Sequence, residues 1–331
     1  MNPTQALATR TLIGMAVVLL AGAAHAAEVD SFTRRHALGD SAPFLNQVVN
    51  VWMEEAVIEA NRPPLITRLT AGERAGCDET RLMAALKDRF ADYLVGQLES
   101  FVNESTALDS IRTTFADSIY RDLNFSESPT VLLTERLAVL IRLGDVYLGS
   151  DKLGHFFTEG RTYYTRYIAE NERSALRYGE LTESSFYGEL TTGIFSYADL
   201  AANLNGLRFW NSILAKKPDP IDGTQPVRPY IGCTEGKWRR LRPFDWRDYV
   251  DPAWDEALNC NAYRDDAVLK KVTRRIAQAS HGKGCPLQRV DERQLQRKYG
   301  KRLGLVFNRR GARVLKSFNQ ELKQYWEEIM P

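Results

Sequence analysis

ELTTGIFSYADLAANLNGLRFW, residues 189–210, is the stretch that decides the fold class. Its apolar and small residues (Leu190, Ile194, Phe195, Ala198, Leu200, Ala201, Ala202, Leu204) are interrupted at steps of three and four by Glu189, Thr192, Ser196, Asp199 and Asn203. Residues three and four apart share one face of a helix. The pattern predicts a buried helix over about 183–214 with one narrow polar edge, inside a mainly α-helical, compact domain. Such an edge either faces water or lines a cavity shared with a second polar face.

That second face lies upstream. In SDKLGHFFTEG, residues 150–160, Asp151, His155 and Glu159 recur every four residues on a helix expected from Asp151 to about Glu170. A carboxylate one turn from a histidine accepts its ring N–H and fixes its tautomer, the orienting half of an acid–base pair. Gly154 admits a close neighbour, at a helix cost of about 1 kcal/mol relative to Ala. Meeting faces would gather His155, Asp151, Asp199 and Ser196 as catalytic candidates, with Glu159 and Glu189 as carboxylates for a metal. Crowded carboxylates repel unless they share a proton or a cation. No cofactor is required, but a divalent cation fits. One histidine is fewer nitrogen ligands than zinc usually takes, so Mg²⁺, Ca²⁺ or Mn²⁺ suits the carboxylates better. No GxSxG elbow surrounds Ser196, which weakens a serine-nucleophile reading. His155 with Asp151, and Asp199 or Glu189 as second acid, would activate a water.

The segment Asp151-Lys152-Leu153-Gly154-His155-Phe156 resembles the D-K-x-x-H-F segment of VanZ-like proteins. It also resembles the D-K-x-G-H segment of small periplasmic proteins of Gram-negative bacteria. The resemblance covers under a tenth of the chain and implies an envelope role; it carries over no reaction.

The N-terminus supports the same compartment. A polar start ending at Arg10, the 14-residue apolar run TLIGMAVVLLAGAA (11–24) and Ala24-His25-Ala26 read as a signal peptide cleaved after Ala26. No later run of 18 apolar residues predicts a transmembrane segment, and the expected location is the periplasm. Cys77, Cys233, Cys260 and Cys285 lack CxxC spacing, so disulfides are expected over a redox motif or zinc knuckle. The preferred pairing is Cys233–Cys260 with Cys77–Cys285, the first stapling an irregular segment.

Four parts are expected: a leader (1–26), a helical body (27–217), an irregular Trp- and Pro-rich segment packed on it (218–262) and a basic helical part (263–331). In the body, helices are expected over 43–61, stopped by Pro63-Pro64, over 78–102, capped by Asp78, and over 106–122. TVLLTERLAVLIRLGDVYL reads as a central apolar segment ended by Gly149, with Ser150 capping the next helix. Further helices are expected over 264–280, 290–299 and 317–328. Residues 303–318 read equally as a hairpin about Arg309-Arg310-Gly311 or as a broken helix.

Residues 264–316 hold 16 Lys/Arg against 4 Asp/Glu, although the whole chain is only +2. Lys270, Lys271, Arg274, Arg275, Lys301 and Arg302 are candidate contacts for a lipid head group or an anionic envelope polymer. Export disfavours nucleic acid. The bland alternative packs this face against the acidic body. No internal repeat, GxGxxG, P-loop or HExxH pattern occurs. Two functions fit: a non-catalytic, binding or structural envelope protein, placed first, and an envelope-directed hydrolase built on His155 and Asp151.

Overall fold

The computed structural model describes residues 28–62, 76–91, 96–134, 136–183 (backbone only at 179–183), 192–221 and 227–315. The leader, Glu189 and the helix expected over 317–328 lie outside the described residues.

The chain is mainly α-helical, with a few short strands. Helix α1 (Ala42–Asn61) buries Leu45, Val49, Met53, Ala56 and Ala60, a stripe at helical spacing, and ends just before Pro63. Asp78 caps α2 (Glu79–Phe90) by accepting the Arg81 N–H at 3.2 Å. The single helix expected over 78–102 is two: α3 (Gln97–Glu104) follows separately.

The helix expected over 106–122 does not form. Ile111 instead bridges Leu140, and Asp30 accepts the Ile119 N–H at 3.0 Å, so local apolar spacing yields to long-range backbone pairing. The central apolar segment contains a short helix α4 (Pro129–Thr134) and then an antiparallel hairpin, β1 (Leu140–Leu143) and β2 (Val146–Gly149). Gly144, at φ 61°, supplies the left-handed turn residue. Ser150 does not cap the next helix. Its hydroxyl accepts the Val139 N–H and donates to Asn103 Oδ1, tying the hairpin to α3.

Helix α5 is continuous through three registers: Asp151–Gly154 α-helical, His155–Glu159 π-helical and Gly160–Ala169 α-helical. After α6 (Glu172–Glu183), strand β3 (Ile194–Phe195) leads into α7 (Tyr197–Leu214). The predicted long helix thus begins later, and Ser196 is its N-cap, accepting the Asp199 N–H at 3.2 Å. Helix α7 is buried almost all round.

The described part of the Trp-rich segment, from residue 227, has defined elements. It forms a hairpin, β4 (Ile231–Thr234) with β5 (Lys237–Arg240), and two single-turn 3₁₀ pieces. Trp246 packs on Phe156 with ring centroids 5.0 Å apart, and Phe244 lies 5.0 Å from Trp246. Strand β6 (Ala262–Tyr263) pairs antiparallel with β3 and parallel with β7 (Arg313–Val314). Between them lie α8 (Asp266–Ala279), α9 (Glu292–Tyr299) and α10 (Leu303–Val306), so 303–315 is a broken helix leading to a strand rather than a hairpin. One core cluster draws on residues from Ala42 to Leu315.

The disulfides are Cys77–Cys233 and Cys260–Cys285, which corrects the expected pairing. The β4–β5 hairpin lies against the end of α1 and the start of α2, where Trp238 Nε1 donates to the Asp78 carbonyl and its backbone N–H to Asn61. That contact puts Cys233 beside Cys77. Cys285 meets the 256–257 backbone, next to Cys260. The bridges staple the irregular segment to its neighbours, not to itself.

Candidate functional site

The two polar faces meet. Ligand atoms of Asp151, His155 and Asp199 lie within 4.8 Å of one another. His155 Nε2 is 3.3 Å from Asp199 Oδ2, and Nδ1 is 3.0 Å from Asn203 Oδ1. Asn203 in turn donates to the Tyr163 hydroxyl. With the amide held this way, Nδ1 carries the ring hydrogen and donates it to Asn203. Nε2 faces the Asp199 carboxylate, to which it donates when the ring is protonated.

Two local features position these groups. The π turn, closed by the Gly160 N–H on the His155 carbonyl, lies beneath His155; such turns recur at functional sites. Gly206 brings α7 against it: a Cβ there would fall 2.0 Å from the Phe156 carbonyl oxygen and 2.8 Å from Gly160 Cα. Only glycine permits this approach.

Below the partly open His155–Asp199 edge lies a buried ion cluster. The Lys152 side chain is 1% exposed, and its Nζ lies 2.5 Å from Asp151 Oδ2, 2.5 Å from Asp199 Oδ1 and 2.6 Å from Glu256 Oε1. Asp199 Oδ1 is held by Lys152 alone, and Asp151 Oδ1 is buried with no hydrogen-bond partner among the described residues. Glu256 also accepts from Ser196 Oγ at 2.9 Å and from Asn261 Nδ2 at 2.8 Å.

Burial pushes the Asp151 carboxyl up to about 6, against the pull of Lys152. For Asp199 burial acts the same way, but the His155 and Lys152 charges more than offset it and hold the group below the usual range. Burial alone would lower the Lys152 value; the charges of Asp151, Asp199 and Glu256 raise it well above the ordinary one, so the ammonium is firmly held. Glu99, packed on Gly154, and Glu28 are both raised well above the carboxylate range, chiefly by burial.

Of the sequence candidates, Asp151, His155, Asp199 and Ser196 come together, with Ser196 acting as helix cap and partner of Glu256. Glu159 is half-buried and outside the group of three; burial raises its carboxyl, with His155 opposing. Glu189 lies outside the described residues. Lys152, Glu256 and Asn203 complete the cluster. Lys152 stands in the DKLGH segment without an assigned role in the sequence reading, and Asn203 stands in the polar stripe. Nothing local marks Glu256, which is 104 residues from Lys152.

The basic face is largely spent inside the molecule. Lys271 pairs with Glu127, Arg274 and Arg275 with Asp122, and Arg302 with Glu172; Lys270 is exposed.

Compared with protein-family models, curated proteins and solved structures, the chain matches none. Among the described residues, no helix is long and apolar enough to cross a membrane.

Proposed function

We propose that the chain is a hydrolase whose reacting centre is the Asp151–His155–Asp199 seam between α5 and α7. The observation that carries this reading is the convergence of the three side chains at an edge where His155 and Asp199 stay 13% and 12% exposed, above a sealed floor. Nε2 of His155 and Oδ2 of Asp199 are the atoms offered to a reacting water. Asn203 fixes the ring, and the Lys152 cluster fixes Asp199, so the geometry is held before a substrate arrives. The oxidised cysteines and the apolar leader support placing this activity in the periplasm, and the DKLGH resemblance supports an envelope substrate.

The non-catalytic reading has one observation in its favour: Lys152 already neutralises part of the acidic cluster, as a structural ion network would. Its polyanion-binding form loses support from the internal pairing of Lys271, Arg274, Arg275 and Arg302.

Purified protein should cleave at least one of a panel of ester, amide, glycoside and phosphoester probes. Asp199→Asn and His155→Gln should each lower the rate at least 100-fold while keeping the wild-type circular dichroism spectrum, in line with the loss of an acid–base group. Unchanged rates in both variants would remove the seam from the chemistry.

A further inference from the structure

We propose that Asp151, His155 and Asp199 form a binding site for one divalent cation of the Mn²⁺ type, with water completing its coordination. The inference rests on the seam as reacting centre and adds the partner that would activate its water.

Three features of the seam fit a bound cation. The first is the ring orientation. With Nδ1 3.0 Å from Asn203 Oδ1, Nε2 is turned to Asp199 Oδ2 at 3.3 Å. A proton on Nε2 closes an ion pair with Asp199, and a divalent cation bound there would take that proton's place. A metal-bound histidine characteristically gives its other ring N–H to an acceptor, the part Asn203 plays here.

The second is unsatisfied oxygen. The Asp151 side chain is 4% exposed and its Oδ1 has no hydrogen-bond partner among the described residues, while Asp199 Oδ1 is held by Lys152 alone. Buried carboxylate oxygens ordinarily find donors or metals.

The third is charge. Asp151, Asp199 and Glu256 face a single ammonium, Lys152. With all three carboxylates ionised and His155 protonated the cluster carries −1, and a divalent cation in place of the ring proton brings it to zero. Lys152 takes Glu256 as its third partner; the cation takes His155.

The donor set selects the ion. Two carboxylates and one imidazole mix hard oxygen with borderline nitrogen, which suits Mn²⁺ better than Ca²⁺, and waters fill the open positions. The ligand atoms all lie within 4.8 Å of one another, so one ion placed between them can contact all three.

The test uses full-length protein stripped with EDTA, titrated with Mn²⁺ by calorimetry and by electron paramagnetic resonance, with Zn²⁺ and Mg²⁺ in parallel. One Mn²⁺ should bind per chain, with nitrogen coupling in the resonance spectrum that disappears in His155→Ala. Asp199→Asn should weaken binding at least 10-fold, Asn203→Ala about 10-fold as an outer partner, and surface Asp145→Asn not at all. Because Asp199→Asn can disturb folding, the nitrogen coupling of the wild type is a separate criterion. No Mn²⁺ binding up to 1 mM, or binding without nitrogen coupling, overturns the site. Full hydrolysis after EDTA stripping overturns the cation but keeps the hydrolase; Mn²⁺ bound at His155 with no probe cleaved supports the site and removes the hydrolase.

Discussion

Lys152 sits at 1% side-chain exposure among three carboxylate oxygens at 2.5–2.6 Å. Desolvating an ammonium costs several kcal/mol, and the local attractions offset that only because the partners are close and converge from separate segments. Removing one partner of such a cluster leaves uncompensated buried charge. Lys152→Met should therefore lower unfolding free energy by about 3–5 kcal/mol in urea titrations; a change under about 1 kcal/mol would mean the carboxylates simply take up protons instead. The role of Lys152 was hard to read because a lysine in the first turn of a helix ordinarily points to water. Asp151 and His155 were legible because they stand four apart on one helix, and Asp199 because it stands in the polar stripe of another; that the two faces meet is decided only by the folded chain. Glu256 was not, since only the folded chain brings it next to residue 152.

Elements were legible where their own residues decide them and not where distant backbone does. The periodic stripe of α1 and the Asp78 cap of α2 are local, and both form as expected. Residues 106–122 have helical spacing too, yet Ile111 pairs with Leu140 and Asp30 captures the Ile119 N–H, which local spacing does not reveal. The α5–α7 crossing is decided by Gly160 and Gly206. A methyl at 206 meets backbone, not the tip of a flexible side chain, so the helices must separate. Gly206→Ala should cost about 1–3 kcal/mol of stability, the range for overpacking, and should lower Mn²⁺ affinity, since Phe156 adjoins His155. Gly76→Ala, with nothing among the described residues within 4 Å of the added carbon, serves as the neutral control. Equal stability of the two variants in urea would show that the crossing is not held by close contact.

On the scale of the whole molecule, charge and disulfides bind together segments that do not read as neighbours. The basic C-terminal part spends Lys271, Arg274, Arg275 and Arg302 on acidic residues between Asp122 and Glu172, so much of its local charge is neutralised within the molecule. The cysteine count announced two bridges, but their pairing depends on the β4–β5 hairpin reaching α1 and α2, a contact with no local signature. Cys77–Cys233 closes a span of 156 residues and Cys260–Cys285 one of 25, and the two spans do not overlap. If the bridges act mainly by restricting the unfolded chain, the longer loop contributes about 5 kcal/mol and the shorter about 3.5 kcal/mol. The double variant Cys77→Ser/Cys233→Ser should accordingly lose more stability than Cys260→Ser/Cys285→Ser, and the two losses should add, each measured from urea midpoints without reductant. The reverse order would place the greater effect in the native packing around Cys260, where Asn308 donates to its carbonyl and Cys285 meets the chain entering β6.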